Sequence, residues 1–181
     1  MLLRKSGLSL LLLCFIISAT IGSARSGSSE LTIQSTAFMA NRPIPVAYTC
    51  SGDDRSPTLA WNGVPAATQT LALIVRDPDA PMGSYVHWVI YNMPANLTGL
   101  PAGLPTTPML DNGAMQGVSG RGTSGYHGPC PPPGPAHHYH FRLYALDAKL
   151  NLAAGANAAE VEQALKGHVL ASGDLVGTFA R

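Results

Sequence analysis

Residues 139–146, YHFRLYAL, alternate in a period of two. In an extended chain Tyr139, Phe141, Leu143 and Ala145 share one face, while His140, Arg142 and Tyr144 share the other. A helix would scatter the same side chains around its axis, so this stretch reads as a strand with one face in a core. Two further runs build a sheet around it. Residues 70–76 (TLALIVR) are almost continuously apolar and are bounded by Thr68-Gln69 and Asp77-Pro78, which suits a strand buried on both faces. Residues 87–93 (HWVIYNM) are rich in β-branched and aromatic side chains. Residues 31–35, 58–61 and 175–179 are shorter candidates.

One segment reads as a helix. Over residues 156–168, Ala159, Val161, Ala164 and Leu165 fall near a 3.6 period, with Gly167 helping to end it and Gly173 preceding the last strand. The chain has 181 residues, of which 19 are Gly and 15 Pro, a density of turns that excludes a helical bundle. Only 12% of residues are charged, which excludes disorder driven by charge. The expected fold is mostly β, two packed sheets with one or two short helices and long Pro/Gly-rich loops. Residues 94–135 show little periodicity, and so long a loop in a compact domain is usually functional.

The first 24 residues read as a leader. Arg4 and Lys5 precede an apolar run from Leu8 to Ile17, and Gly22-Ser23-Ala24 has the small-x-small pattern of a cleavage point. The run is short of the ~20 residues needed to span a bilayer, so no stable membrane anchor is expected. Cys14 sits inside that run, and Cys50 and Cys130 remain in the expected mature domain, residues 25–181. Export makes a Cys50–Cys130 disulfide the natural pairing. Taking away Arg4 and Lys5 turns a formal charge of +1 into −1, and no basic run appears, so nucleic acid is not an expected partner. Gly120-Arg121-Gly122-Thr123-Ser124-Gly125 spells a dinucleotide fingerprint but lacks the preceding strand and following helix. Asn96-Leu97-Thr98 is a formal glycosylation sequon.

Two clusters carry chemistry. Asp77-Pro78-Asp79-Ala80-Pro81 ends one apolar strand and leads to His87-Trp88. Gly128-Pro129-Cys130-Pro131-Pro132-Pro133-Gly134 leads to His137-His138-Tyr139 at the start of another. If these strand ends adjoin, Asp77, His87, His137 and Tyr139 surround one pocket. The residues alone leave four readings open: ordinary strand-end hydrogen bonding, a metal site among the histidines, Asp–His hydrolytic chemistry, and an anion pocket. A metal site built only from the local run is disfavoured, because His138 and His140 face away from His137. Asp77 would repel an anion, so it helps only by orienting a histidine or by pairing with a cationic part of a ligand.

Those two clusters resemble the two signatures of the phosphatidylethanolamine-binding protein family. Further likeness lies in Cys50-Ser51-Gly52-Asp53-Asp54-Arg55-Ser56-Pro57 leading to Trp61, and in Gly167-His168-Val169-Leu170 leading to Gly177-Thr178-Phe179. The likeness extends over residues 31–180 and is nearest the bacterial Raf-kinase-inhibitor-like (YbhB/YbcL) branch. It implies a two-sheet β fold with a small anion pocket that takes groups such as the phosphoryl of phosphatidylethanolamine. By position it implies ligand-binding roles for Asp77, His87, Gly128, His137 and Tyr139, with Pro81 matching a cis-proline in the rim. His138, His140 and His168 keep a structural role. Eukaryotic members carry a C-terminal helix beside the pocket, so a more open pocket is expected in a chain whose last strand ends near Arg181.

The functional expectation is an exported, periplasmic or secreted, non-enzymatic protein that binds a small anion or phosphorylated head group without a cofactor. The rivals are an interaction or inhibitor module acting on a protein partner through residues 94–135, and a metal-dependent hydrolase. A homodimer is also in view.

Overall fold

A computed structural model describes residues 30–181, so the expected leader and Cys14 lie outside the described residues. The strands are β1 (Thr32–Gln34), β2 (Arg42–Pro43), β3 (Leu59–Asn62), β4 (Thr70–Asp77), β5 (Tyr85–Pro94), β6 (Gly99–Leu100), β7 (Met115–Gln116), β8 (His137–Leu146) and β9 (Val169–Phe179); α1 (Ala158–Leu165) precedes β9. They form a three-stranded sheet, β1-β3-β6, and a six-stranded one, β2-β9-β8-β4-β5-β7. The mostly β architecture of two sheets with a helix is as expected.

The two faces of the large sheet explain the two kinds of sequence pattern. One face meets the small sheet, and Leu71, Leu73, Val75, Trp88, Ile90, Tyr139, Phe141 and Leu143 pack there with Trp61 and Leu175. The other face meets α1, where Ala72, Ile74, Val89 and Tyr91 pack against Ala158, Val161 and Leu165. Strand β4 lies between β8 and β5 and beneath both layers, so its side chains have no solvent face and read as one apolar run. Strand β8 keeps its alternation because His138 and Arg142 on its second face extend past the cover of α1 into solvent.

Helix α1 is shorter than the periodic stretch at both ends. Asn157 caps it: its side chain accepts from the Glu160 N–H at 3.0 Å, and the Glu160 carboxylate accepts from the Asn157 N–H at 2.8 Å. Strand β9 is longer than the expected 175–179, because Gly173 lies inside it rather than before it. A Cβ at Gly173 would stand 2.4 Å from the Leu31 carbonyl oxygen, so the glycine permits close approach of β1. Residues 169–174 are mostly exposed and lack an apolar pattern for sequence reading to detect.

Pro94 ends β5, and residues 95–135 are irregular apart from β6 and β7 but tightly held. The fully buried Gln116 amide donates to the carbonyls of Pro105 (2.7 Å) and Thr107 (2.8 Å), and its oxygen accepts from the Trp88 indole N–H (2.7 Å). The Tyr126 hydroxyl donates to the Tyr48 carbonyl at 2.8 Å. Cys50 and Cys130 are joined (S–S 2.01 Å), and the Cys50 N–H donates to the Pro129 carbonyl at 3.1 Å. These links press the segment leading into β8 against the loop at residues 49–54.

Candidate functional site

Strand β4 ends at Asp77 and β8 begins near its side, at His137. Both are on the core-facing side of the sheet, like Val75 and Tyr139, and both are buried. The Asp77 carboxylate has no free oxygen. Oδ2 accepts from His137 Nδ1–H at 2.8 Å, and Oδ1 accepts from the Asp79 N–H at 2.9 Å in the turn that follows. The carboxylate therefore fixes the imidazole and leaves Nε2 as the ring nitrogen for a ligand. Of the two uses open to Asp77 in the sequence, the geometry displays the first.

His87 reaches the same place by a different device. Along β5, Trp88 lies opposite Val75 while Val86 lies opposite Arg76, so His87 is an extra residue with no partner on β4. Strict alternation would put His87 and Trp88 on opposite faces. The bulge keeps them on the same one, as bulges beside functional sites do. The His87 ring consequently meets the Tyr139 ring edge-on at 5.2 Å and the Tyr85 ring at 4.9 Å. Its Nδ1 stands 2.7 Å from the His127 carbonyl oxygen. A carbonyl has no proton to give, so Nδ1 is the donor, and the neutral ring carries its lone pair on Nε2. Burial pushes the His87 pKa below the ordinary histidine value, against the opposing pull of the His127 carbonyl and the Asp77 charge.

Asp77, His87 and His137 line a cavity of about 520 Å³ with Pro81, Tyr85, Arg121, His127, Gly128 and the Cys130–Pro132 segment. Five of the six expected ligand residues thus share one cavity: Asp77, Pro81, His87, Gly128 and His137. Tyr139 stands behind His87. Its hydroxyl is buried and makes no hydrogen bond among the described residues. Burial first, and the Asp77 charge second, raise its pKa, so the phenol stays protonated and can serve as a neutral donor.

Two details differ from the expected pattern. No peptide bond among the described residues is cis, so Ala80–Pro81 is trans. A trans proline suits the turn that forms: the Gly83 N–H donates to the Ala80 carbonyl at 2.9 Å, placing Pro at the second position and Gly at the fourth. The second concerns the N–H of Gly128, a residue to which the resemblance gives a ligand-binding role. It donates to Asp54 Oδ1 at 2.6 Å. The glycine is needed for space, since a Cβ there would stand 2.4 Å from the Tyr48 carbonyl oxygen. His138, His140 and His168 pair with Asp79, Asp174 and Asp147 at 2.7–2.8 Å, in the structural roles expected of them.

Sequence reading missed Arg121 and His127. Arg121 comes from the glycine-rich stretch that imitated a nucleotide fingerprint. There the Ser119 N–H donates to the Thr123 carbonyl (2.9 Å), and the turn swings the guanidinium to the cavity, 3.6 Å from Asp54 Oδ2. His127 Nε2 is 2.7 Å from the Thr123 hydroxyl. An arginine a few residues before Gly128-Pro129 was the available signal. Among the described residues no three metal-ligating side chains converge.

The sequence model of the phosphatidylethanolamine-binding protein family matches residues 34–180. The chain belongs to that family. A UPF0098 protein of Methanothermobacter thermautotrophicus is 46% identical over 151 residues, covering 83% of this chain and 99% of that protein. Among solved structures, a phosphatidylethanolamine-binding protein (PEBP) homologue from Chlamydia trachomatis, CT736, superposes with a TM-score of 0.78 at 36% identity, covering 85% of this chain and 99% of the other. Escherichia coli YbcL, described as a new member of the mammalian PEBP family, superposes at 0.75 with 31% identity over 84% and 99%. PEBP-family membership supports a binding-protein fold; the ligand of this member is a separate matter.

Proposed function

We propose that this PEBP-family chain is an exported, non-enzymatic binding protein whose cavity takes phosphate-like anions or phosphorylated head groups. One observation carries the reading: two imidazoles, each with Nδ1 anchored within the protein, line a single cavity that also holds the Arg121 guanidinium. When neutral, each Nε2 accepts a hydrogen bond from a protonated phosphoryl oxygen. When protonated, it donates to an ionised one, and such charge-assisted bonds are the stronger kind. Where binding pairs an ionised oxygen with a newly protonated ring, it is coupled to proton uptake. Tyr139 stands behind His87, outside the cavity lining, and packs edge-on against that ring. Asp77 lines the same cavity, and its two oxygens hold His137 Nδ1–H and the Asp79 N–H, so its part is to orient that imidazole.

Titration calorimetry with inorganic phosphate, phosphoethanolamine and ethanolamine at pH 5.5 and 8 tests the proposal. The two phosphorylated compounds should bind, and more tightly at pH 5.5, while ethanolamine should not. Absence of heat with both phosphates at both pH values would refute it. Export is tested by fractionating cells that express the full chain: the mature protein should leave the cytoplasm shortened by about the length of residues 1–24.

A further inference from the structure

The His127–Gly128 peptide group has a hydrogen bond at each end. Its carbonyl accepts from His87 Nδ1–H at 2.7 Å, and its N–H donates to Asp54 Oδ1 at 2.6 Å. A carboxylate drawing on the N–H of an amide polarises that amide and makes its carbonyl a better acceptor, because hydrogen bonds in a chain reinforce one another. Asp54 therefore sits in the same relation to His87 as Asp77 does to His137, with one peptide group interposed.

We propose that Asp54 is the positioning residue for His87. Acting through the His127–Gly128 peptide, it holds the Nδ1–H tautomer and keeps Nε2 turned to the cavity. Three features support the assignment. Gly128 lies hard against the Asp54 loop, since a Cβ would stand 2.7 Å from the Thr49 Cα and 2.8 Å from Asp54 Oδ1, so only a glycine lets the peptide come this near the carboxylate. The Cys50–Cys130 link and the Cys50–Pro129 hydrogen bond tie the Asp54 loop to the segment that carries that peptide. Asp54 Oδ2 faces Arg121 at 3.6 Å, so the residue also holds the guanidinium that lines the cavity. A structural reading, in which Asp54 merely ties two loops together, would not distinguish His87 from His137.

The charged and titratable groups around His87 are Asp77 at the end of β4, Tyr85 on its own strand, His137 and Tyr139 on β8, and Arg121, His127 and Asp54 from the loops. Removing the Asp54 charge leaves Arg121 uncompensated beside the cavity. Both changes disfavour a protonated His87, so they act in one direction.

Nitrogen-15 NMR of the imidazoles in the full chain, disulfide intact, gives the test. In D54N the amide oxygen can still accept from the Gly128 N–H, so the fold and the Nδ1–H tautomer should persist. The His87 titration midpoint should drop by roughly half a pH unit or more, and by more than any movement of the His137 resonances, because Asp77 holds that ring directly. In Asp54→Ala, His87 at pH 7.5 should become a mixture of tautomers, with His137 unchanged. Only the link from this imidazole result to phosphate binding rests on the anion-pocket reading. An unmoved His87 in both variants, or equal movement of His87 and His137, would overturn the assignment. Failure of the unaltered protein to bind phosphate would instead refute the pocket reading and leave the imidazole result standing.

Discussion

His137 and His138 are neighbours in the chain, and each brings its Nδ1 to an aspartate at the end of β4, at 2.8 Å from Asp77 and 2.7 Å from Asp79. The chemistry is the same and the setting is not. The His137 and Asp77 side chains are 11% and 5% exposed; those of His138 and Asp79 are 52% and 43% exposed. Alternation along β8 turns one imidazole to the cavity and the other to water. An exposed pair is screened and worth ~0–1 kcal/mol, whereas a buried donor deprived of its acceptor costs ~1–3 kcal/mol. Position across the sheet, not residue type, separates a cavity-lining imidazole from a surface tie.

The comparison is most severely strained by removing the link that holds the inner site together. Replacing Cys50 and Cys130 by Ser should cost about 4 kcal/mol in urea unfolding, by the chain-entropy argument for a loop of 80 residues. It should also weaken phosphate binding while leaving the imidazole resonances of His138 in place. Retained stability and affinity would mean that the backbone hydrogen bonds alone define the cavity.

Asp77→Ala comes next. It strands the His137 Nδ1–H and should destabilise the fold by about 2 kcal/mol and reduce phosphate affinity more than tenfold. Equal effects from Asp79→Ala would abolish the distinction between inside and outside. Close in size is His137→Ala, which removes one charge-assisted bond and should weaken phosphate at least tenfold, against no change for His138→Ala.

Acidity supplies a gentler probe. The folded-state pKa of His87 lies below its ordinary value, so the folded protein binds protons less readily than the unfolded chain. The stability contribution of His87 is therefore intact at pH 8 and is eroded as pH falls below about 6.5. An anion that favours the protonated ring offsets that loss. The rise in melting temperature on adding sulfate, whose charge is constant over this range, should be larger at pH 5.5 than at pH 8. No difference would show that neither imidazole takes up a proton.

The smallest effect belongs to the outer pair. The His138 hydrogen bond lowers the Asp79 pKa, so its contribution exists above the ordinary carboxylate value of about 3.9 and disappears as pH falls through the lower folded value. In urea melts at pH 7, D79N should differ from the unaltered protein by no more than about 0.5 kcal/mol, with the gap closing below pH 4.

Much of the molecule was legible in the chain. β8 and α1 each bury a face wide enough to leave a periodic mark, β5 shows in its β-branched and aromatic residues, and β4 reads as one apolar run because it is covered on both sides. The half-exposed start of β9 left none. Asp77, His137 and the Cys50–Cys130 pairing could be named because they sit at strand ends or in turn-rich loops marked by their own residues. Arg121 and Asp54 could not. Each acts through a partner distant in the chain, and nothing in their immediate neighbours states which surface they will meet.

The order of residues alone settled the strand faces: side chains two apart must share a side, so His137 goes with Tyr139 and His138 goes against them. Only the folded molecule settled His87. A one-residue bulge reverses the face that counting assigns it, and a bulge comes from pairing with a neighbouring strand, which no local pattern encodes. The use of Gly128 was likewise decided in three dimensions, because a backbone N–H has one proton to give and the nearer acceptor, Asp54, comes from a segment more than seventy residues away.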